Sequence, residues 1–109
     1  MKRLAFLGSS RADLKDLPDE VRRVAGFQLD RVQRGLNPED WKPMTSIGSG
    51  VREIRIQESS GAFRVIYAAA IADAVFVLHA FQKKTQRTPA RDIDLAAARL
   101  KELLRRMAK

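Results

Sequence analysis

An α+β domain of order β-α-α-β-β-β-α is what this chain predicts, from three observations. Two segments, 19–36 and 89–107, carry apolar residues at helical spacing. Three strand-like runs lie between them, separated by short turn signals. The length, 109 residues, is enough for one core and leaves no room for a second. The expectation is one domain over 1–109, its helices packed on an antiparallel sheet.

Each element has a local reason. KRLAFL (2–7) reads as a strand closed by Gly8. Ser10 followed by Asp13 has the spacing of a capping box, in which side-chain oxygens satisfy the free amides of a helix start. Pro18 suits the first turn of a longer helix, with Asp19 and Glu20 near its positive end. There Val21, Val24, Ala25, Leu29, Val32 and Leu36 form a stripe, leaving Arg22, Arg23, Asp30 and Arg34 toward water. Gly35 and Pro38 end it.

Residues 37–50 hold Pro38, Pro43, Gly48, Gly50 and the only tryptophan, Trp41, and are predicted as loop. Trp41 is expected to anchor that loop on the domain, or to stack on a base if exposed. Strands are predicted over 51–58, 62–69 and 74–82, with turns at Ser59-Ser60-Gly61 and Ala72-Asp73. Thr88 and Pro89 offer an N-cap and first-turn pair for the last helix. Its Ile93, Ala96, Ala97, Leu100, Leu103, Leu104 and Met107 form one stripe, and Arg99 falls among its solvated cations.

Charge narrows the class of partner. Lys and Arg number 21 against 13 Asp and Glu, a formal net charge of +8 with a pI near 10.6. Such a surplus attracts polyanions or an acidic protein, leaving nucleic acid, an anionic membrane surface and an acidic chain all open. Cysteine is absent, which excludes disulfides and thiol chemistry, and the single histidine, His79, excludes a His-rich metal site. No apolar run approaches the roughly 20 residues needed to cross a bilayer. Residues 2–8 are too short a run for a signal peptide, so a cytoplasmic protein is the simplest expectation.

The cations concentrate at FQKKTQRTP (81–89), where a strand ends and a helix begins with Lys83, Lys84 and Arg87 between them. Strand parity extends the cluster, because side chains alternate across a sheet. A two-residue loop at Ser60-Gly61 sets Gln57 opposite Arg64 and Arg55 opposite Ile66. A two-residue loop at Ala72-Asp73 sets Ile66 opposite His79 and Arg64 opposite Phe81. Arg55, Arg64, His79 and Lys83 then share one face, with Tyr67 on the other. Plainer readings stand beside this one. Arg55 next to Glu53 and Gln57 is an ordinary solvated arginine, His79 within VFVLHAF suits a satisfied core histidine, and Lys83 and Lys84 suit a strand edge guarded against pairing. Arg64 is harder to explain so, because it interrupts an apolar strand.

GVREIRI (50–56), SGAFRVIY (60–67) and VLHAFQKKTQRTP (77–89), preceded by LGSSRADLKDLP (7–18), resemble the HigB-like, phage-derived branch of the RelE/ParE toxin superfamily. The resemblance covers nearly the whole chain and implies a RelE-like single domain. It also implies the toxin of a type II toxin–antitoxin pair, typically a ribosome-dependent, metal-independent mRNA endoribonuclease needing no cofactor. Implied partners are the ribosome and mRNA and a HigA-like helix-turn-helix antitoxin, with operator DNA bound only through the antitoxin complex and no membrane. Arg64 falls on the superfamily arginine of the hairpin's second strand, Arg55 on a basic position of the strand before, and Lys83 where relatives often end the last strand with a cation. Glu53 stands where some relatives carry a second basic residue, and the tyrosine that some relatives carry near the C-terminus has no counterpart. His79, on no shared catalytic position, is the side chain whose charge changes near neutrality. The candidate catalytic set is thus Arg64, Lys83 and His79, with Arg55, Lys84 and Arg87 binding phosphate. A gyrase inhibitor without nuclease chemistry and a nontoxic binding module of the same fold remain the alternatives.

Overall fold

The two helical stripes and the strand alternation leave the chain with apolar surface for two layers, one on each side of a sheet. The computed structural model describes residues 1–108. Its elements are β1 (Arg3–Phe6), α1 (Ser10–Lys15), α2 (Asp19–Gln33), β2 (Trp41–Pro43), β3 (Val51–Glu58), β4 (Gly61–Ile71), β5 (Ala74–Lys83) and α3 (Ala90–Met107). The strands form one sheet of order β1-β5-β4-β3-β2. On one face Ile54, Ile56, Phe63, Val65 and Tyr67 meet Val21, Ala25, Leu29 and Val32 of α2. On the other Ile66, Ala68, Phe76 and Leu78 meet Ala96, Leu100 and Leu103 of α3.

The α+β class holds, with two corrections to the sheet. It is mixed, because β1 runs parallel to β5 (Arg3↔Ala74 to Phe6↔Val77). That pairing joins residues about 70 positions apart in the chain, and no local pattern can announce it. The second correction is β2, which lies in the segment predicted as loop and pairs antiparallel with β3 through Trp41↔Ile54 and Pro43↔Arg52. An edge strand this short tolerates Pro43, whose missing amide is not needed there.

Helix starts and stops follow the expected chemistry with small displacements. Ser9, not Ser10, is the N-cap of α1; its Oγ donates to Asp13 Oδ2 at 2.8 Å, while Ser10 is buried and donates to the Val77 carbonyl at 3.0 Å. Gly35 ends α2 at φ +86, with the amides of Gly35 and Leu36 bonded back to the carbonyls of Val32 and Arg31. This double closure needs a left-handed residue, which glycine supplies without strain. Leu36 falls beyond the helix and is 51% exposed, so the α2 stripe closes at Val32. Pro89 is the N-cap of α3 and Thr88 lies outside it. Of the α3 stripe, Leu104 and Met107 stay largely exposed.

Two irregularities in the β4–β5 pair cancel. Leu78 is an extra residue on β5 between the pairs Ile66↔His79 and Tyr67↔Val77, and β4 has its own extra residue between Ala68↔Phe76 and Ile71↔Ala74. The turn Ala72-Asp73 has φ 52° at both residues, the conformation that a tight two-residue hairpin requires. Because the extra residues offset each other, Ile66 still faces His79 and Arg64 still faces Phe81. The bulge also frees the Leu78 carbonyl, which accepts from Arg99 Nη1 at 2.8 Å, while Arg99 Nη2 donates to Ser9 Oγ at 2.9 Å. Arg99 is therefore a clamp of α3 onto β5 and α1, not a solvated cation.

Tyr67 is 1% exposed, and its hydroxyl makes no hydrogen bond. Burial pushes its pKa up; the neighbouring Arg52 guanidinium opposes that shift but falls short of hydrogen-bond geometry. An unsatisfied buried hydroxyl carries a desolvation cost with no return. Tyr67→Phe is therefore expected to keep the fold and raise the unfolding free energy by about 1 kcal/mol, read by urea denaturation.

Candidate functional site

On the α3 face of the sheet, beyond the reach of α3 itself, alternation brings forward Glu53 and Arg55 of β3, Arg64 of β4 and Lys83 of β5. The hairpin loop is Ser59-Ser60, with Glu58 opposite Gly61, so the pairing differs by one full pleat from the expected register. Arg55 lies opposite Arg64 instead of Ile66. A shift of two residues leaves every side chain on its predicted face. It also sets two like charges side by side, which is unfavourable without countercharges. Those countercharges are present: Arg64 Nε is 3.4 Å from Glu53 Oε1, and Arg55 Nε is 4.0 Å from Asp40 Oδ1.

Glu53 is fully buried. Its Oε2 accepts from Thr88 Oγ1 at 2.7 Å, and Lys42 Nζ stands 4.0 Å from Oε1. This is why Thr88 does not cap α3: its hydroxyl serves the carboxylate. Arg64 is 7% exposed, with Nη1 donating to the Phe63 carbonyl at 2.9 Å. Burial lowers its pKa, Glu53 raises it and Arg55 lowers it again, but a guanidinium stays charged throughout. One N–H goes to Phe63, and Nε pairs with Glu53 by charge at 3.4 Å without a hydrogen bond, so donors remain for a ligand.

The outer side of this cluster is an open cleft of about 590 Å³ lined by Arg55, Gln57, Ala62, Arg64, Lys83, Lys84, Thr85 and Gln86. No carboxylate lines it. Lys83 has its pKa lowered, first by partial burial and then by the Arg64 charge, with Glu53 opposing. An anionic group entering here would meet four cationic side chains and no repelling one.

Two of the residues singled out from sequence lie elsewhere. His79 shares the face, but α3 crosses over it: the ring is 6% exposed, stacks on Phe81 at 4.7 Å, and has Nε2 2.7 Å from Asp92 Oδ1. It does not line the cleft. Arg87 turns to a separate depression with Lys42, Thr45 and Ser46. Sharing a strand face is a matter of parity; sharing a cleft depends on what covers that face. Sequence reasoning missed the part played by Glu53, although a lone acid among the cations of VREIRI was the available signal.

The family model described as Phage derived protein Gp49-like (DUF891) matches residues 12–101, so the chain belongs to this family, a RelE/HigB-type toxin family of toxin–antitoxin systems. Membership implies an antitoxin partner. No curated protein matches the chain. Among the described residues no helix is long and apolar enough to cross a membrane.

Removing the countercharge should destabilise the site strongly. Glu53→Gln leaves Arg64 buried without its main partner and is expected to cost about 3 kcal/mol. Thr88→Val removes one hydrogen bond to a charged group and should cost about 1.5 kcal/mol. Urea unfolding of both variants gives the order, and Thr88→Val costing more than Glu53→Gln would contradict the dominance of the ion pair.

Proposed function

We propose that the protein is the toxin of a type II pair and acts as a metal-independent mRNA endoribonuclease that inhibits translation. The observation that carries this reading is the cleft in which Arg55, Arg64, Lys83 and Lys84 converge with no carboxylate among the lining residues. RNA cleavage by internal attack needs charge neutralisation on a phosphate, in-line geometry and movement of protons. In the proposed step the ribose 2′-oxygen attacks phosphorus and the bond to the 5′-oxygen breaks, leaving a 2′,3′-cyclic phosphate and a 5′-hydroxyl. The 2′-hydroxyl proton leaves to the base, and the departing oxygen takes up a proton.

Arg64 would hold the phosphate oxygens on which charge grows, since its guanidinium is already oriented by Glu53 and the Phe63 carbonyl. Arg55 and Lys84 would hold the flanking phosphates. Lys83 is the proton carrier in this scheme, because its lowered pKa enlarges the neutral fraction that can accept a proton. His79 is better read as a strut beneath α3 than as the base, given its hydrogen bond to Asp92 and its burial. The ribosome would order the mRNA across the open cleft. A HigA-like helix-turn-helix antitoxin would neutralise the toxin and carry operator binding.

Arg64→Ala and Lys83→Ala are expected to reduce mRNA cleavage by roughly hundredfold or more, read by sequencing mRNA 5′ ends after induction. Full toxicity and cleavage in both variants would overturn the assignment, and DNA-damage signalling without cleavage would mark a gyrase inhibitor instead. Lysine as base also sets a pH signature. Cleavage on purified ribosomes should rise with pH and level off below the ordinary lysine range, and Lys83→Arg, which keeps the charge but cannot lose its proton, should abolish that rise.

A further inference from the structure

A second cleft lies on the opposite, α2 face of the sheet. It encloses about 250 Å³ between the end of α2 and the far end of β4, and its polar lining comes chiefly from Lys2, Arg52 and Tyr67. No carboxylate lines it, and neither Lys2 nor Arg52 has an acidic group within ion-pair distance among the described residues. Both cationic heads are nonetheless held in place. Lys2 Nζ donates to the Ala69 carbonyl at 2.7 Å, and Arg52 Nη1 donates to Asn37 Oδ1 at 2.6 Å while its guanidinium lies 4.1 Å over the Trp41 ring. Donors remain on each. The Tyr67 hydroxyl adds a buried donor with no hydrogen-bond partner.

Two positioned cations and an unsatisfied phenol at one half-enclosed cleft form a receptor for an anionic oxygen group. Apart from Asn37, whose Oδ1 accepts from Arg52, the other lining residues are apolar or glycine, and Leu36 among them is 51% exposed. We infer that this cleft binds an aspartate or glutamate side chain of a protein partner, with an apolar neighbour of that residue packing on Leu36. The cleft falls below the roughly 300 Å³ at which small-molecule sites begin, which suits one side chain better than a nucleotide. The net charge of +8 favours an acidic partner surface. An antitoxin is the partner class that the family implies. The inference stands apart from the nuclease reading, since Arg55 and Lys83 take no part in it.

The test uses the single tryptophan, whose emission reports on the Arg52 guanidinium above it. The probes are a blocked Leu-Asp-Leu peptide, its Leu-Asn-Leu analogue and inorganic phosphate, titrated against the intact protein. The aspartate peptide should shift Trp41 emission saturably, and about tenfold more weakly when Asn replaces Asp or in Lys2→Gln and Tyr67→Phe. An Arg55→Ala, Lys83→Ala double variant should bind as the parent does. Tyr67→Phe guards against misfolding as the cause, because it retains the apolar ring. The inference is overturned if the peptide gives no shift, if the Asn analogue binds equally, if phosphate binds more tightly than the peptide, or if only the Arg55/Lys83 variant loses binding.

Discussion

The ion pair between Glu53 and Arg64 governs the arrangement around it. A carboxylate with no solvent access is tolerable only if opposite charge and hydrogen-bond donors replace the water it has lost. Here the compensation comes from separate parts of the chain: a hydrogen bond from Thr88 before α3, the Arg64 charge on β4 with its Nε 3.4 Å from Oε1 and, at 4.0 Å, the Lys42 charge on β2, while Oε1 itself accepts no hydrogen bond. Satisfying one carboxylate therefore fixes an edge strand, a central strand and the entry to the last helix relative to β3. The same contact holds Arg64 in a single orientation. It converts a flexible arginine into a pre-oriented donor at the floor of the basic cleft.

The far side of α3 is secured differently. An extra residue at Leu78 leaves a carbonyl without its ladder partner, and Arg99 supplies the missing donor while also reaching Ser9. Asp92, in the first turn of α3, accepts from the His79 ring beneath it. The helix is thus tied at its start by His79 and further along by Arg99, with buried Ala96 between these ties and Leu100 and Leu103 beyond them. Gly8 belongs to the same arrangement: its φ is +55, and a Cβ there would collide with Arg99 Nε.

The sheet separates two chemistries. Its α3 side offers cations along an open cleft suited to a phosphate backbone, while its α2 side offers two cations and a phenol in a smaller hollow suited to one acidic side chain. Under the two proposals above, this division assigns the nucleic acid and the protein partner to different surfaces. Both depend on β3 and β4, whose alternation sends Arg64 one way and Tyr67 the other.

Local chemistry was legible in the residues. Helical spacing located α2 and α3, turn residues bounded β3, β4 and β5, and Gly35 marked the end of α2. Parity alone put Arg55, Arg64 and Lys83 on one face and Tyr67 on the other, since a register error of two residues does not change which way a side chain points. Long-range packing decided the rest. The parallel partner of β1, the short strand at Trp41 and the covering of His79 by α3 all join residues far apart in sequence, where spacing carries no signal. Thr88 shows the limit most clearly. Its sequence context is that of a helix cap, yet a buried carboxylate from β3 claims its hydroxyl, because leaving that charge unsatisfied costs more than leaving α3 without a side-chain cap.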